Sequence, residues 1–266
     1  MLERFTHERI KAILVIPGAY FLFSRLRKPR DLLINAIQWA IPSALVGVVF
    51  SNAHSMSSIY WLAVGFIIFV SMYELGYIAN DSYGLKNDDT PRRRVRIRFS
   101  IPFVVTFVMV RGIAFGGLAI ATDLASDMVF LLSYTGLAAT LIAHNLLAKV
   151  QFKFFTFFQL SLFRFTLPVL PLILHEDRGE LLPALMVTGL ALFSFPRLLT
   201  YLDAKGRLSL EERKDTNFLF FGLTITLPIV IAIAAATMSW ASVIGWGWAV
   251  LAQLTYLRVA KYNTLC

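Results

Sequence analysis

Long apolar runs constrain this chain more than any other feature of its sequence. Eight of them follow one another, at about residues 31–50, 58–80, 99–121, 128–147, 152–173, 180–202, 216–237 and 241–260. A helix of about 20 apolar residues matches the hydrocarbon thickness of a bilayer. Hydrophobic residues make up 58% of the chain and charged residues only 15%, whereas a soluble domain has nearer a quarter charged. The sequence therefore predicts an all-α, polytopic membrane bundle of about eight transmembrane helices.

The distribution of Lys and Arg predicts the orientation of this bundle. The formal net charge is +9, and most of the basic residues fall in alternate links or at the ends of the spans beside them. Because basic residues concentrate on the cytoplasmic side, both termini are predicted to be cytoplasmic, with Arg178 in an external link. We therefore expect an integral protein of the bacterial inner membrane, surrounded by lipid and without a nucleic-acid partner. The oligomeric state stays open.

The N-terminal region has a shorter apolar run, at residues 12–23, with basic residues on both sides. Twelve residues are too few to span a bilayer, and no small-x-small cleavage site follows. We expect a retained interfacial or re-entrant segment whose two ends lie in the cytoplasm. The predicted organisation is an N-terminal cytoplasmic or interfacial segment at 1–30 and a single transmembrane domain at 31–266. Its polar links at 81–98 and 203–215 are the predicted active-site links.

Acidic residues recur at the end of the second span. Glu74, Asp81 and Asp88 are spaced seven residues apart, and Tyr77 falls on nearly the same helical face. A carboxylate inside a membrane is costly and usually has a partner or a function, which makes Glu74 a candidate site residue. Asn80, Asp81 and Asp88 supply the hard oxygen ligands that suit Mg²⁺. The alternative for Asn80 and Asp81 is plain solvation at the end of a span.

Basic residues follow these acids directly. Arg92, Arg93 and Arg94 are candidate phosphate ligands, because a guanidinium group matches phosphate oxygens. Acids for a metal beside bases for phosphates suit a diphosphate substrate. The alternative is that these arginines only anchor the topology or bind anionic lipids.

The second polar link repeats the combination of basic and acidic residues. Arg197 precedes the end of the sixth span, and the exit of that span carries Tyr201, Asp203, Lys205 and Arg207. Tyr201 and Lys205 are four residues apart and share a helical face. These five residues are candidate substrate ligands facing the first link.

Several other polar residues lie within predicted spans. Arg111 is a candidate structural partner of Glu74 or, equally, a substrate ligand. His144 is a candidate base or substrate ligand, with a hydrogen-bonded packing role as its alternative. Asn145 and Arg164 are further buried polar residues in the fourth and fifth spans. The phenylalanines of the fifth span suit either the wall of a polyisoprenoid tunnel or contact with lipid.

The stretch "NDSYGLKNDDTPRRR" resembles the first motif of the UbiA superfamily of intramembrane transferases, which has the form NDxxDxxxD followed by proline and basic residues. Asn80, Asp81 and Asp88 match this motif, and Gly84 stands where its middle aspartate is found. Pro91 and the arginines after it correspond to the basic tail. Upstream, "RLRKPRDLLINAI" (25–37) resembles the entry to the first helix in the decaprenyl-phosphate phosphoribosyltransferase branch.

The resemblance implies a UbiA-like fold and an Mg²⁺-dependent transferase that moves a group from a diphosphate donor to a lipid acceptor. It implies that Asn80, Asp81 and Asp88 bind Mg²⁺, with Asp81 and Asp88 catalytic. The favoured reaction is phosphoribosyl transfer from phosphoribosyl diphosphate to polyprenyl phosphate. The alternatives are prenyl transfer from a prenyl diphosphate lipid to an aromatic or lipophilic acceptor, and a non-catalytic carrier of lipid phosphates.

Two features depart from the pattern of the family. Its prenyltransferases usually carry a second acidic motif, DxxxD, whereas Asp203 here is followed four residues later by Arg207. Members commonly have nine helices, and eight spans are predicted here.

Overall fold

The computed structural model describes residues 7–26, 29–52, 56–82, 99–207 and 216–262, and every regular element within these ranges is helical. The α-helices are α1 (His7–Leu14), α2 (Ala19–Arg25), α3 (Pro29–Asn35), α4 (Ile41–Ser51), α5 (Met56–Ser82), α6 (Ile101–Ala121), α7 (Met128–Leu146), α8 (Val150–Thr166), α9 (Leu170–His175), α10 (Leu182–Gly189), α11 (Phe195–Ala204), α12 (Thr216–Thr237) and α13 (Ala241–Tyr262). The predicted all-α fold class is confirmed for this part of the chain.

Five helical segments of the described chain are long and apolar enough to cross a membrane. They are Asp31–Ser51, Met56–Ser82, Ile101–Ala121, Met128–Leu146 and Gly179–Asp203. Each corresponds to one of the predicted spans, so the chain has the character of an integral membrane protein. The count of eight spans and the side on which the termini lie remain predictions.

The remaining three predicted spans are also helical, and one of them is interrupted. The run 152–173 is broken, because α8 ends at Thr166 and the separate short helix α9 begins at Leu170. Pro168 lies in the break, where its ring and missing N–H oppose continuation of the helix. The last two runs form α12 and α13, whose apolar described parts are Leu223–Thr237 and Ala241–Ala252.

Two spans contain a wider, π-helical turn. The segments Ala36–Ala40 and Leu190–Ser194 join α3 to α4 and α10 to α11. Each is followed by a proline near the start of the next helix, at Pro42 and Pro196. A proline removes one backbone donor and crowds the carbonyl four residues earlier, and a local π turn accommodates both effects.

The main apolar core surrounds α5, which packs against α6, α7 and α9. The closest approach is at Gly65, where an added Cβ would collide with the backbone carbonyl oxygen of Pro168. A separate apolar cluster joins the N-terminal segment to α5 and α6, and its buried members are Ile10, Leu14, Tyr20, Ile78, Phe103 and Phe107. The segment 7–26 is therefore packed into the bundle as a broken helix.

Candidate functional site

A cavity of about 380 Å³ lies at one end of the bundle. It is formed where the C-terminal parts of α5 and α7 meet α8 and α11, with one residue each from α2 and α3. Its lining consists of Arg25, Asn35, Tyr73, Gly76, Tyr77, Asn80, Leu141, His144, Asn145, Lys153, Phe157, Leu160, Ser161, Arg164, Arg197, Tyr201 and Lys205. Six elements distant in sequence thus contribute to one site.

The charge of this cavity is of one sign among its described lining residues. Its cationic side chains are Arg25, Lys153, Arg164, Arg197 and Lys205, and no Asp or Glu is part of the described lining. Like charges brought together in a partly desolvated site repel one another unless an anion is bound between them. The cavity is therefore electrostatically suited to a ligand that carries several negative charges.

Arg164 is the most firmly held of these cations. Its guanidinium Nη2 donates to Oδ1 of Asn35 at 2.6 Å and lies over the ring of Trp39, 4.2 Å from the centroid. The indole Nε1 of Trp39 in turn donates to the backbone carbonyl of Arg164 at 2.5 Å. Because Asn35 and Trp39 lie at or within the π turn of the first span, that turn positions both partners of this arginine.

Arg25 reaches the cavity from the end of α2. Its guanidinium carbon lies 4.1 Å from the ring centroid of Tyr77, and the ring of Phe21 stacks with that of Tyr77 at a centroid distance of 6.1 Å. Within the described part of the chain, Nε of Arg25 and Nε of Arg164 are buried and have no hydrogen-bond partner. A buried donor without an acceptor is costly, so both groups favour an acceptor supplied by a ligand.

The cations of α11 lie on aromatic rings. Tyr201 stacks on Phe157 of α8 with centroids 4.0 Å apart. The guanidinium of Arg197 is 5.7 Å from the ring of Phe157, and the ammonium of Lys205 is 5.9 Å from that of Tyr201. Cation–π contacts of this kind stabilise a cation without neutralising it, so its charge stays available to an anion.

Neutral polar groups line the wall between α7 and α8. Nδ1 of His144 lies 2.8 Å from the hydroxyl oxygen of Thr156, and that hydroxyl donates to the backbone carbonyl of Lys153 at 3.1 Å. Asn145 donates to the carbonyl of Gly76 at 3.3 Å and so links α7 to α5.

Six candidate site residues are brought together in the cavity lining, and most come from the ends of the second and sixth predicted spans, beside the two polar links. They are Tyr77, Asn80, His144, Arg197, Tyr201 and Lys205. Asp203 is half-buried and Arg207 is exposed, and neither contributes to the lining. Asp88, Arg92, Arg93 and Arg94 lie outside the described residues, as does Gly84.

Glu74 is buried on a neighbouring face of α5 and does not line the cavity. Its Oε2 pairs with Nη2 of Arg111 at 2.7 Å, so the predicted structural partnership of these two residues is confirmed. Its carboxylate also accepts from the backbone N–H groups of Gly18 and Phe21, at 3.1 and 2.6 Å. The residue is thus fully engaged with the N-terminal segment.

Asp81 is 3% exposed and lies on the same side of α5 as Glu74. Its Oδ2 accepts from the hydroxyl of Tyr20 at 2.7 Å, and its Oδ1 accepts a long bond of 3.4 Å from Nδ2 of Asn80. Burial, together with the neighbouring Asp81 carboxylate, raises the pKa of Tyr20 above its usual value, which keeps this donor protonated.

Of the three expected Mg²⁺ ligands, Asn80 and Asp81 lie within the described residues and Asp88 does not. In the described ranges no group of three or more His, Cys, Asp and Glu side chains is placed to hold a metal ion. Asn80 turns its amide nitrogen toward Asp81, and both oxygens of Asp81 already accept hydrogen bonds. Asn80 and Asp81 alone supply too few oxygen ligands for Mg²⁺, so the Mg²⁺ prediction depends on Asp88.

The lining also contains residues that were not predicted as site residues, among them Arg25, Asn35, Tyr73 and Lys153. In the sequence, Arg25 is one of the basic residues that flank the apolar run 12–23, where such residues usually set the orientation in the membrane. Lys153 is a charged residue at the start of a predicted span. The signal that points to Lys153 is a charge inside an apolar run, which also marks Arg164. Asn35 and Tyr73 carry no comparable signal, because neither residue type is unusual in a membrane helix.

No protein-family model, curated protein or solved structure matches this chain.

Proposed function

We propose that this chain is an integral-membrane transferase of the UbiA type, which binds a diphosphate donor in the cationic cavity and transfers a group from it to a lipid acceptor. The observation that supports this most is the convergence of Arg25, Lys153, Arg164, Arg197 and Lys205 on one cavity whose described lining contains no carboxylate. A diphosphate carries several negative charges in a small volume and matches such a set of donors.

The size and composition of the cavity suit a small anionic head group. Ligand pockets usually measure about 300–1,000 Å³, and this one is about 380 Å³. Arginine forks bind phosphate oxygens in pairs, and the hydroxyls of Tyr73, Tyr77 and Tyr201 supply neutral partners around them. An apolar lipid chain would extend from the cavity between helices into the surrounding bilayer.

The favoured reaction is phosphoribosyl transfer to a polyprenyl phosphate. The bond between the anomeric carbon and the diphosphate oxygen breaks, and its electron pair leaves with pyrophosphate. A phosphate oxygen of the lipid forms the new bond to that carbon, without net oxidation or reduction. The cations lower the barrier by stabilising the charge that develops on the leaving pyrophosphate.

Mg²⁺ belongs to this proposal through the family resemblance. It would be held by Asp88 with help from Asn80 and Asp81, and it would neutralise charge on the diphosphate. Tyr20 and Asn80 each donate to one oxygen of Asp81, and such hydrogen bonds would orient this carboxylate as a ligand. The residues of the chain that bind the phosphates directly are the arginines and lysines of the cavity.

The test uses the full chain purified in detergent and incubated with Mg²⁺, phosphoribosyl diphosphate and polyprenyl phosphate. A second set of reactions replaces the donor with prenyl diphosphates and an aromatic acceptor. Release of pyrophosphate and formation of the lipid product are measured, with Asp81→Ala and added EDTA as companions. Turnover that survives both treatments overturns the metal role, and turnover only in the second set selects prenyl transfer.

A second candidate function is a non-catalytic carrier of lipid phosphates. It is favoured by the same cationic lining together with the engagement of Asp81 by Tyr20. Absence of turnover with both donor classes, in a folded sample that binds polyprenyl phosphate, selects the carrier.

A further inference from the structure

The N-terminal segment is held in the bundle at its break, between α1 and α2. Arg111 donates from its guanidinium to the backbone carbonyls of Leu14, Val15 and Ile16, at the end of α1. The last carbonyls of any helix lack partners within the helix, and a cation is favourable at this end of the helix dipole. Arg111 therefore caps the C-terminus of α1.

The partner of Arg111 caps the other side of the same break. The carboxylate of Glu74 accepts from the backbone N–H groups of Gly18 and Phe21, at the start of α2. The first N–H groups of a helix lack partners and favour an anion. The buried pair is thus oriented, with its acid at a helix N-terminus and its base at a helix C-terminus.

This arrangement lies deep within the bundle. At about 1.5 Å per residue, Arg111 is roughly 15 Å along α6 from Ile101. Both side chains are at most 1% exposed. An unpaired charge or backbone group at such depth is costly, so the pair, the carbonyls and the N–H groups satisfy one another.

A second contact fixes α2 against the end of α5. The hydroxyl of Tyr20 donates to Oδ2 of Asp81 at 2.7 Å, and Tyr20 is completely buried. The next residue, Phe21, stacks parallel to Tyr77, with an angle of 6° between the rings. Position and rotation of α2 are therefore both defined.

The position of α2 determines the position of the residue at its far end, one turn after Phe21. Arg25 is the last residue of this helix, and its guanidinium lies over the cavity side of α5 at Tyr77. Its backbone belongs to α2. Whatever fixes α2 therefore also fixes Arg25.

We propose that Glu74, Arg111 and Asp81 are positioning residues, which hold the broken N-terminal helix so that Arg25 lies in the cavity as a phosphate ligand. This inference rests on the proposed function in one respect, since it assigns an anionic ligand to the cavity. In this role Glu74 and Asp81 act through Arg25.

The first test is a double-mutant cycle on binding of inorganic pyrophosphate to the full chain in detergent. Arg25→Ala and Glu74→Gln are each expected to weaken binding by about tenfold or more, as for loss of one charge-assisted hydrogen bond. In the Arg25→Ala background, Glu74→Gln is expected to cause no further loss. Effects that multiply instead would overturn the proposal, because a general loss of packing acts independently of Arg25.

The second test distinguishes capping from simple ion pairing. The double variant Glu74→Arg with Arg111→Glu keeps two opposite charges but places each against the wrong end of a helix. Capping predicts that pyrophosphate affinity is not restored in this variant, whereas full restoration would contradict it. Should the swap or Glu74→Gln fail to fold, Tyr20→Phe replaces it in the cycle, with the same expected dependence on Arg25.

A third measurement needs no ligand and separates this inference from the proposed function. Arg25→Cys is made in a Cys266→Ser background, and its rate of reaction with a water-soluble thiol reagent is compared with and without Glu74→Gln. We expect the rate to change several-fold when the anchor is lost. An unchanged rate overturns the positioning role, whereas a wild-type chain that binds no pyrophosphate overturns only the proposed function.

Discussion

Arg197 shows at the scale of one residue how a charge is kept inside the bundle. Its guanidinium lies near two phenylalanine rings, at 5.7 Å from Phe157 and 5.2 Å from Phe193. Another cation, Arg164, lines the same cavity, and no Asp or Glu is part of the described lining. The rings lower the cost of its burial, and the charge remains available to an anion.

We expect Arg197→Gln to weaken binding of inorganic pyrophosphate by roughly tenfold to a hundredfold, the usual effect of losing a charge-assisted hydrogen bond. Titration calorimetry on the detergent-purified chain measures this change. The matched control is Arg178→Gln, which removes a cation paired with Glu180 at a distance from the cavity. Equal losses for the two variants would show that net charge, and not the cavity, controls binding.

Glu74 and Asp81 illustrate what a seven-residue spacing can and cannot indicate. The spacing places both on one side of α5, as predicted, because a helix repeats its face after seven residues. It does not indicate what that side contacts. The contacts are Arg111 and Tyr20, which the chain brings there from α6 and α2.

At the scale of elements, some residues of α5 line the cavity, and others pack closely against neighbouring helices. Tyr73, Gly76, Tyr77 and Asn80 recur at intervals of three and four residues and form the wall of the cavity. Farther from the cavity, Gly65 allows α5 to approach the backbone at Pro168, where α8 has ended. One helix therefore carries both a row of cavity-lining residues and a close contact that is possible only because Gly65 has no side chain.

Gly65→Ala is expected to destabilise the fold by about 1–3 kcal/mol, the usual cost of overpacking. The added Cβ would collide with a backbone carbonyl, which cannot rotate away as a side chain can. Thermal unfolding of the purified protein measures the loss as a lower midpoint. Gly112→Ala in α6 is the control, since nothing lies within 4 Å of its added Cβ.

For this control, helix propensity predicts no loss and a gain of up to about 1 kcal/mol. A Gly65→Ala variant as stable as Gly112→Ala would contradict the close approach of α5 to Pro168.

At the same scale, the two π turns lie next to residues that line the cavity. Asn35 directly precedes one, and Arg197 follows the other by a few residues. An extra residue in a turn rotates whatever follows it relative to a regular α-helix. The usual spacing of three or four residues between side chains on one helical face is therefore interrupted at these turns. That spacing cannot predict which side chains face the cavity there.

At the scale of the whole molecule, orientation in the membrane is the main prediction that follows from the distribution of charge. Basic residues near the polar links and both ends predict that the cavity opens to the cytoplasm. The link between α9 and α10 carries Arg178 and is predicted to be external.

The single cysteine of the chain, Cys266, allows a direct test of this orientation. We expect a membrane-impermeant maleimide to label it in inside-out vesicles and not in right-side-out ones. Arg178→Cys in a Cys266→Ser background is expected to give the opposite result. Labelling of both cysteines from one face would contradict the predicted topology.

By itself, the sequence determined that this is a helical protein of membrane character, because long apolar runs leave the backbone no other way to satisfy its polar groups in lipid. It also placed residues at or beside the two polar links, such as Asn80 and Lys205, among the candidates that the fold brings into one cavity. Only the tertiary structure decided that Glu74 and Asp81 bind the N-terminal segment, while Arg25 and Lys153 join the cavity. Partners in different helices depend on how those helices pack, and no local pattern in the chain encodes that arrangement.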